Sequence, residues 1–247
     1  PLEMHLWSVE IGQQPIQITS ARGWHSCELS DSGDFALDRH SHLGFPGALD
    51  LVDTRSGKSQ RLGAAGDPRA EFLLPESRFF AIEASDGTTL HGLLLLPPGA
   101  EAGDQRYPVL HYMYGGPHSQ LVRDRWLGGA NPWLHTMAMR GYVVFQLDNR
   151  GTDNRGRAFA QSVFRQLGTL EVEDQARALR QVLELPCTDP ERVGVHGWSY
   201  GGFMTLSMML RQPELYACGI SGAPVTDWAQ YETGYTERYM DTPEENP

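Results

Sequence analysis

The first part of the chain, up to residue 70, alternates between short apolar stretches and clusters of turn-forming residues. The pattern predicts short β-strands near residues 4–9, 27–29, 35–37 and 49–53. Strands at this spacing are typical of a sandwich, a barrel or a propeller blade. The segment is long enough for one four-stranded blade and part of another. One blade cannot bury both of its own faces, so we expect it to need neighbours.

From residue 71 onward, apolar runs of strand length alternate with longer stretches of helical spacing. Asp86-Gly87 separates two apolar runs, which predicts a hairpin closed by a type I′ turn. A helix is expected to begin at Pro132, after a capping Asn131, and to stop at Gly141. The remaining predicted elements are strands at 108–113, 142–147, 192–196 and 217–220 and helices around 170–183 and 203–210. This alternation predicts a mostly parallel sheet with helices on both faces.

The junction between the predicted strand 192–196 and the helix after it carries a catalytic pattern. Gly197-Trp198-Ser199-Tyr200-Gly201 fits Gly-x-Ser-x-Gly, the nucleophile elbow of α/β-hydrolases. In that motif a serine lies on a sharp, strained turn, so only small residues fit two positions before and two after it. The alternative is an ordinary turn serine, but the flanking strand and helix favour Ser199 as a nucleophile.

The histidines are unusually placed for such an enzyme. In the α/β-hydrolase order, the nucleophile precedes an acid and then a histidine. All nine histidines of this chain lie before Ser199, which only 48 residues follow. We therefore expect the chain to supply the nucleophile without its base, and the triad Asp and His to lie beyond it. The alternative is that an upstream histidine serves in an unusual order.

Composition and charge exclude several classes of partner. The 247 residues are 40% hydrophobic and 21% charged, which is ordinary for a globular protein. A net charge of −11 disfavours nucleic acid and anionic membrane surfaces. No apolar run approaches the ~20 residues of a membrane span, and the N-terminal residues do not resemble a signal peptide. The three cysteines have no metal-site spacing, so neither a metal nor another cofactor is expected.

Several further residues are interpreted as structural. Arg150 lies in a turn at the end of a predicted strand, where a salt bridge would hold it. Glu171, Glu173 and Asp174 are interpreted as charges at a helix start, favourable to the helix dipole. His196 is expected to be a buried sheet residue rather than a base, and His118 lies near the candidate site.

Four stretches together resemble the prolyl oligopeptidase family of serine peptidases, and closely its dipeptidyl peptidase IV branch. They are YGGPHSQ (114–120), LGTLEVEDQ (167–175), GWSYGG (197–202) and YTERYM (235–240). The resemblance implies that residues 1–70 are the partial end of a β-propeller domain. It implies that residues 71–247 are the N-terminal part of an α/β-hydrolase domain with a doubly wound sheet, incomplete because it stops before the triad Asp and His.

The resemblance also assigns roles to site residues. Ser199 would attack the substrate carbonyl, and the backbone N–H of Tyr200 and the hydroxyl of Tyr114 would bind the resulting oxyanion. A phenol is a competent neutral donor at pH 7, because its pKa is about 10. Four further residues match the pocket that takes a proline ring: Val225, Trp228, Tyr231 and Tyr235. The alternative for the last three is that they pack the core from one face of a helix, since their spacing is close to helical.

The function implied by the resemblance is that of a serine exopeptidase. It would release N-terminal dipeptides with Pro, or less readily Ala, in second position through an acyl-enzyme on Ser199. Two alternatives stay open: an oligopeptidase or acylaminoacyl-peptidase of the same family, and a catalytically silent protein-binding relative or inert fragment. The partner is a peptide substrate. A homodimer of the parent enzyme and a periplasmic or secreted rather than cytoplasmic location are the corresponding expectations.

Overall fold

The computed structural model describes residues 1–103 and 105–246 and divides into two compact units. The first unit comprises Pro1–Leu74 together with Arg123–Asn131, and the second comprises Pro75–Val122 and Pro132–Pro247. The inclusion of Arg123–Asn131 in the first unit was not predicted. Asp124 accounts for much of it, because its carboxylate accepts hydrogen bonds from Arg22 (2.7 Å) and from the N–H of Leu43 (2.8 Å).

The first unit is built around an antiparallel sheet of four strands in sequence order, as expected for one blade. Its strands are β3 (Trp24–Leu29), β4 (Phe35–His42), β5 (Phe45–Asp53) and β6 (Ser59–Ala64). A short pair, β1 (Trp7–Ser8) and β2 (Ile16–Gln17), lies beside a small apolar core. The strand predicted over 4–9 is thus wrong in extent: beyond β1, only a single bridge joins Met4 to Trp24.

The second unit contains a six-stranded sheet in the order β12-β11-β9-β10-β8-β7 among the described residues. The strands are β7 (Glu76–Glu83), β8 (Thr89–Leu96), β9 (Tyr107–Tyr112), β10 (Val143–Asp148), β11 (Thr188–Trp198) and β12 (Cys218–Gly222). β9, β10, β11 and β12 run parallel to one another, and the β7–β8 hairpin adds antiparallel pairing at one edge.

The helices that the structure describes in the second unit are α1 (Pro132–Met139), α2 (Arg157–Ala160), α3 (Leu170–Leu183), α4 (Tyr200–Arg211) and α5 (Thr233–Met240). Four of these five helices lie between consecutive parallel strands, as crossover connections require, and α5 follows the last strand, β12. Every residue of β10 is buried, which explains why its sequence is a nearly continuous apolar run rather than an alternating one. No helix in the described part of the chain combines the length and apolar character needed to cross a bilayer.

The hairpin between β7 and β8 is present, but its turn differs from the prediction. The strands pair up to Glu83 and Thr89, and the N–H of Ala84 donates to the carbonyl of Thr88 at 2.8 Å. The loop therefore has three residues, and Gly87 alone among them has a positive φ (+82°). A type I′ turn needs two such residues. The observed loop is the three-residue kind in which glycine takes the left-handed position.

The predicted fold class is confirmed. An α/β-hydrolase sheet with helical crossovers follows an antiparallel, blade-like segment. The elbow lies where β11 ends and α4 begins, at the carboxyl edge of the parallel strands. Sites of α/β proteins form at this edge because loops from several strands converge there.

Candidate active site

Ser199 sits on a strained backbone between β11 and α4. Its φ of +59° and ψ of −116° fall in a region that non-glycine residues rarely adopt. Its N–H donates to the carbonyl of Gly222 at 2.9 Å, and its carbonyl accepts from Phe203 at 3.1 Å. These two bonds hold the turn at β12 and at the first turn of α4. The side chain is half-buried at the sheet edge.

The glycines of the elbow are required by close backbone approach. A Cβ at Gly197 would lie 2.4 Å from the carbonyl oxygen of Gly201 and 2.5 Å from that of Met113. A Cβ at Gly201 would lie 2.4 Å from the same Met113 oxygen. Neither backbone oxygen can swing away as a flexible side chain would. The spacing of the motif is thus a steric consequence of bringing β11, α4 and the end of β9 together.

Tyr114 follows β9 and lies beside the elbow. Its ring centroid is 5.9 Å from that of Tyr200, and its side chain is half-buried. Burial, together with the neighbouring phenols of Tyr231 and Tyr239, raises the pKa of Tyr114, and a hydrogen-bonding interaction with Ser199 partly opposes that rise. The hydroxyl is therefore protonated near neutral pH, and it lies close enough to the Ser199 side chain to interact with it. An oxyanion donor needs both properties.

Tyr200 contributes its backbone and its side chain in different directions. It is the first residue of α4, so its N–H precedes the hydrogen-bond ladder of the helix. Its ring is 2% exposed, and its hydroxyl donates to Oε1 of Glu171 at 2.7 Å. Burial and the adjacent Glu171 raise the pKa of Tyr200 well above the usual value. The buried ring packs beside the elbow, while the backbone N–H belongs to the elbow itself, at the first turn of α4.

Glu171 lies in the first turn of α3, as interpreted from the sequence, and its burial was not foreseen. It is fully buried, and it also accepts a hydrogen bond from the N–H of Gly168 at 3.0 Å. Burial raises its pKa, against the hydrogen bonds from Gly168 and Tyr200 that lower it. Within the described residues, its Oε2 atom is buried without a hydrogen-bond partner. Glu171 thus fixes the position of the Tyr200 ring through the hydrogen bond to its hydroxyl.

The aromatic residues predicted for the substrate pocket do lie together. Trp228 packs against Tyr200 at 5.6 Å between ring centroids and stacks on Tyr235 at 6.1 Å with a 10° interplanar angle. Tyr231 meets both Trp228 and Tyr235 edge-on. Val225 is buried in the loop after β12. The cluster borders the elbow through Tyr200.

The alternative of a single helix face is wrong. Trp228 begins a short 3₁₀ turn (Trp228–Gln230), Tyr231 is extended with ψ of 166°, and Tyr235 lies in α5. The three rings therefore come from three different local conformations and contact one another. Tyr231 is 39% exposed, so it does not occupy a core position.

Arg150 lies in a buried ion-pair network, as expected of a structural residue. Its guanidinium contacts Asp174 at 2.6 Å and Asp86 at 3.1 Å, and its backbone N–H donates to Asp174 at 2.9 Å. Asp174, interpreted from the sequence as a charge at a helix start, is fully buried and pairs with Arg150. The sequence did contain a signal for this burial. The polar residues at 171, 174 and 175 lie on the same face of α3 as Ala178 and Val182, which pack in the core.

No histidine among the described residues is hydrogen-bonded to Ser199. His196 is partly exposed rather than buried, and its Nδ1 lies 2.7 Å from the carbonyl of Ile220. His118 has a positive φ (+58°) and packs against Tyr239 at 5.4 Å. In the described ranges, no cluster of three His, Cys, Asp or Glu side chains has the geometry of a metal site.

The sheet order, the strained serine and its glycines define the class: this is an α/β-hydrolase with a nucleophile elbow. Residues 131–247 match the model of the prolyl oligopeptidase family, and the chain belongs to that family. A curated relative, dipeptidyl peptidase 8 of Homo sapiens, is 36% identical over the whole chain, which spans 28% of that relative's length.

Solved structures agree over almost the entire chain. Porphyromonas gingivalis dipeptidyl peptidase 4 superposes with a TM-score of 0.89 at 30% identity, covering 99% of this chain and 35% of that one. A Bacteroides ovatus protein assigned to dipeptidyl aminopeptidase IV gives a TM-score of 0.91 at 42% identity over 98% of this chain and 35% of that one. The chain thus spans about a third of the length of these similar proteins.

Proposed function

We propose that the protein containing this chain is a serine exopeptidase that releases N-terminal dipeptides with Pro, or less readily Ala, in the second position. The observation that carries the proposal is the strained Ser199, which lies beside the protonated phenol of Tyr114 on the loop after β9. The names of the similar proteins, each a dipeptidyl peptidase or aminopeptidase, support the dipeptidyl specificity.

The chemistry follows the usual course of acyl transfer. The Ser199 oxygen attacks the carbonyl carbon of the substrate's second residue, and the serine proton passes to a general base. The oxygen of that carbonyl becomes an oxyanion. The Tyr200 N–H and the Tyr114 hydroxyl donate to that oxyanion. Collapse expels the amine of the shortened peptide, which takes the proton from the base. Water then hydrolyses the ester in the same way and frees Ser199.

Specificity for proline is proposed to come from the aromatic cluster. Trp228, Tyr231, Tyr235 and the buried ring of Tyr200 pack against one another beside the elbow. In this proposal their flat faces, together with Val225, form the wall of a narrow apolar site, which a pyrrolidine ring enters without losing rotamer freedom. A larger side chain is excluded by shape, whereas a smaller one binds weakly.

We also propose that residues 1–70 close a β-propeller domain and that residues 71–247 begin the hydrolase domain. The four-stranded sheet β3–β6 supports this, because β6 is exposed at every position and the small core of the unit leaves both sheet faces incompletely covered. Such a sheet is stable when neighbouring blades pack against it.

The proposal is tested on the full-length protein. Gly-Pro-p-nitroanilide should be hydrolysed and N-succinyl-Gly-Pro-p-nitroanilide should not, because a dipeptidyl enzyme needs a free amino terminus. A fluorophosphonate probe should label Ser199, and Ser199→Ala should abolish both labelling and turnover. Labelling at another serine would remove the assignment. Equal hydrolysis of the blocked substrate would indicate an oligopeptidase instead.

A further inference from the structure

A row of buried polar side chains runs through the second unit, and none of its members was assigned above to the reaction. It joins Tyr216, just before β12, to His111 in β9, then to Gln175 in α3, and ends at Asn149 after β10. His111, Gln175 and Asn149 are fully buried, and Tyr216 is 8% exposed. Buried polar groups of this kind are expensive unless every one is hydrogen-bonded.

The donors and acceptors in this row can be assigned from the contacts alone. Gln175 Nε2 lies 3.0 Å from the carbonyl of Leu147 and 2.7 Å from Asn149 Oδ1, so it donates to both acceptors. Its Oε1, 2.9 Å from His111 Nε2, must then accept, which places the proton on that ring nitrogen. The other ring nitrogen is left as an acceptor, so the Tyr216 hydroxyl donates to it at 2.9 Å.

Asn149 ends the row on the loop that carries Tyr114. Its Nδ2 donates to the carbonyl of Gly115 at 2.9 Å and to that of Arg150 at 2.7 Å. The contact is close, because a Cβ at Gly115 would lie 2.9 Å from Asn149 Oδ1. Gly115 has a φ of +75° and directly follows Tyr114. All bonds in the row therefore point one way, from Tyr216 to the peptide next to Tyr114.

Burial also keeps the His111 imidazole neutral, which the donor-to-acceptor order of the row requires. It lowers the pKa of His111 to about 3, against the hydrogen bond with Gln175 that raises it. A protonated imidazole has two N–H groups and could not accept from Tyr216. The ring stays neutral at any pH near neutrality, so the direction of the row does not change with pH in that range.

We infer that Asn149, Gln175 and His111 are positioning residues that hold the Tyr114 loop in place for oxyanion binding. The inference rests on the proposed function. The loop after β9 has no helix or strand of its own to fix it, while an oxyanion donor has to be held to within a fraction of an ångström. The amide of Asn149 supplies that restraint, and Gln175 and His111 fix the orientation of the amide.

The test is a double-mutant cycle in the full-length enzyme, with Gly-Pro-p-nitroanilide as substrate. Asn149→Asp keeps the shape and the acceptor for Gln175 but cannot donate to Gly115. We expect kcat to fall by about 10- to 100-fold, as is usual when a catalytic group is misplaced by about 1 Å, with KM changed less than about twofold. In the Tyr114→Phe background the same substitution should cost almost nothing further, because the donor it misplaces is already gone.

A matched control separates positioning from general damage. Thr188 is as deeply buried, and its hydroxyl donates to the carbonyl of Leu185 at 2.8 Å at the far end of β11. Thr188→Val should lower thermal stability but leave kcat near the wild-type value in both backgrounds. If Asn149→Asp does not fold, Gln175→Leu enters the same cycle, since it removes the donor that orients the Asn149 amide.

The outcomes distinguish this inference from the proposed function. Equal losses in kcat with and without the Tyr114 hydroxyl would overturn the positioning role, and so would a wild-type kcat in Asn149→Asp. An inactive wild-type enzyme would instead refute the proposed function. Non-additive losses in an active enzyme support both.

Discussion

At the scale of single residues, the backbone conformation of Ser199 depends on the absence of a Cβ atom at Gly197 and Gly201. A non-glycine residue with φ of +59° and ψ of −116° costs roughly 1–3 kcal/mol and persists only when the surroundings enforce it. Here they do so through backbone contacts at Gly197 and Gly201, where hydrogen atoms take the place of a Cβ.

A single methyl group added at Gly201 should disturb the elbow. Gly201→Ala would bring a Cβ to 2.4 Å from the Met113 carbonyl oxygen, so the elbow must shift. We expect a lower thermal midpoint, equivalent to about 1–3 kcal/mol of overpacking, and loss of fluorophosphonate labelling. Gly66→Ala is the control, because a Cβ there meets nothing within 4 Å. Wild-type labelling of Gly201→Ala would show that the close approach is not needed.

The Tyr114 hydroxyl can be tested independently of its ring. Tyr114→Phe retains the packing against Tyr200 and removes one oxyanion donor, so kcat should fall about 10²–10³-fold with little change in thermal stability. Tyr112→Phe is the matched control. That tyrosine is also half-buried, but its ring packs against His196. Steady-state kinetics of the two variants decide the matter, and equal turnover in both would contradict the donor role.

At the scale of secondary-structure elements, local sequence patterns predicted which segments form strands and helices. They were poorer at predicting elements that depend on pairing with distant residues. The apolar run of β10 and the helix stop at Gly141 are local signals, and the structure has both elements there. β6 (Ser59–Ala64) escaped prediction because it is a polar, exposed segment that becomes a strand only by pairing with β5. Such pairing depends on residues distant in sequence.

The candidate site shows the same division. Ser199 and its glycines follow from a short motif with a mechanical reason, and the resemblance supplied Tyr114 and the aromatic residues. The burial of Glu171, Asp174 and Gln175 was not foreseen, because acidic and amide side chains at a helix start are usually solvated. Their partners, such as Tyr200 and Arg150, come from other elements and are evident only in three dimensions.

The blade sheet should respond to pH through one buried histidine. His25 Nδ1 lies 2.7 Å from Asp38 Oδ2 and its Nε2 lies 2.7 Å from the carbonyl of Ala21, so both nitrogens face acceptors. Burial alone would lower the pKa of His25, but the hydrogen bonds to Asp38 and Ala21 outweigh it and raise the pKa above 6.5. The protonated form is thus favoured in the folded sheet.

The sign of the stability effect follows from that rise. A raised folded-state pKa stabilises the fold fully below the unfolded-state pKa of about 6.5, and the stabilisation is lost as pH rises through the folded-state value. We expect urea unfolding of the blade, followed at pH 5.5–9, to show declining stability above about pH 6.5. His25→Gln should flatten that decline, and His42→Gln, in the same sheet, where the Nδ1 atom accepts a hydrogen bond from the N–H of Gly44, is the matched control. A pH profile unchanged by His25→Gln would contradict the assignment.

At the scale of the whole molecule, the distribution of histidines predicts where activity resides. Ser199 needs a general base, yet every histidine of the chain precedes it. In the described residues His196 is held by Ile220 and His118 packs on Tyr239, so neither is hydrogen-bonded to the serine. The chain also spans only 28% of a similar dipeptidyl peptidase. We therefore propose that the general base for Ser199 is contributed by residues other than these 247.

We therefore expect the 247-residue chain, assayed alone, to hydrolyse no Gly-Pro-p-nitroanilide, whereas the full-length protein should turn it over. Circular dichroism of the isolated chain would show whether its sheets are formed, so that inactivity is not mistaken for unfolding. The Ser199→Ala variant of the full-length protein sets the background rate. Without a base the serine hydroxyl remains a weak nucleophile, because it is not deprotonated near neutral pH. Turnover by the folded isolated chain would mean that one of its own histidines moves to Ser199 and serves as the base.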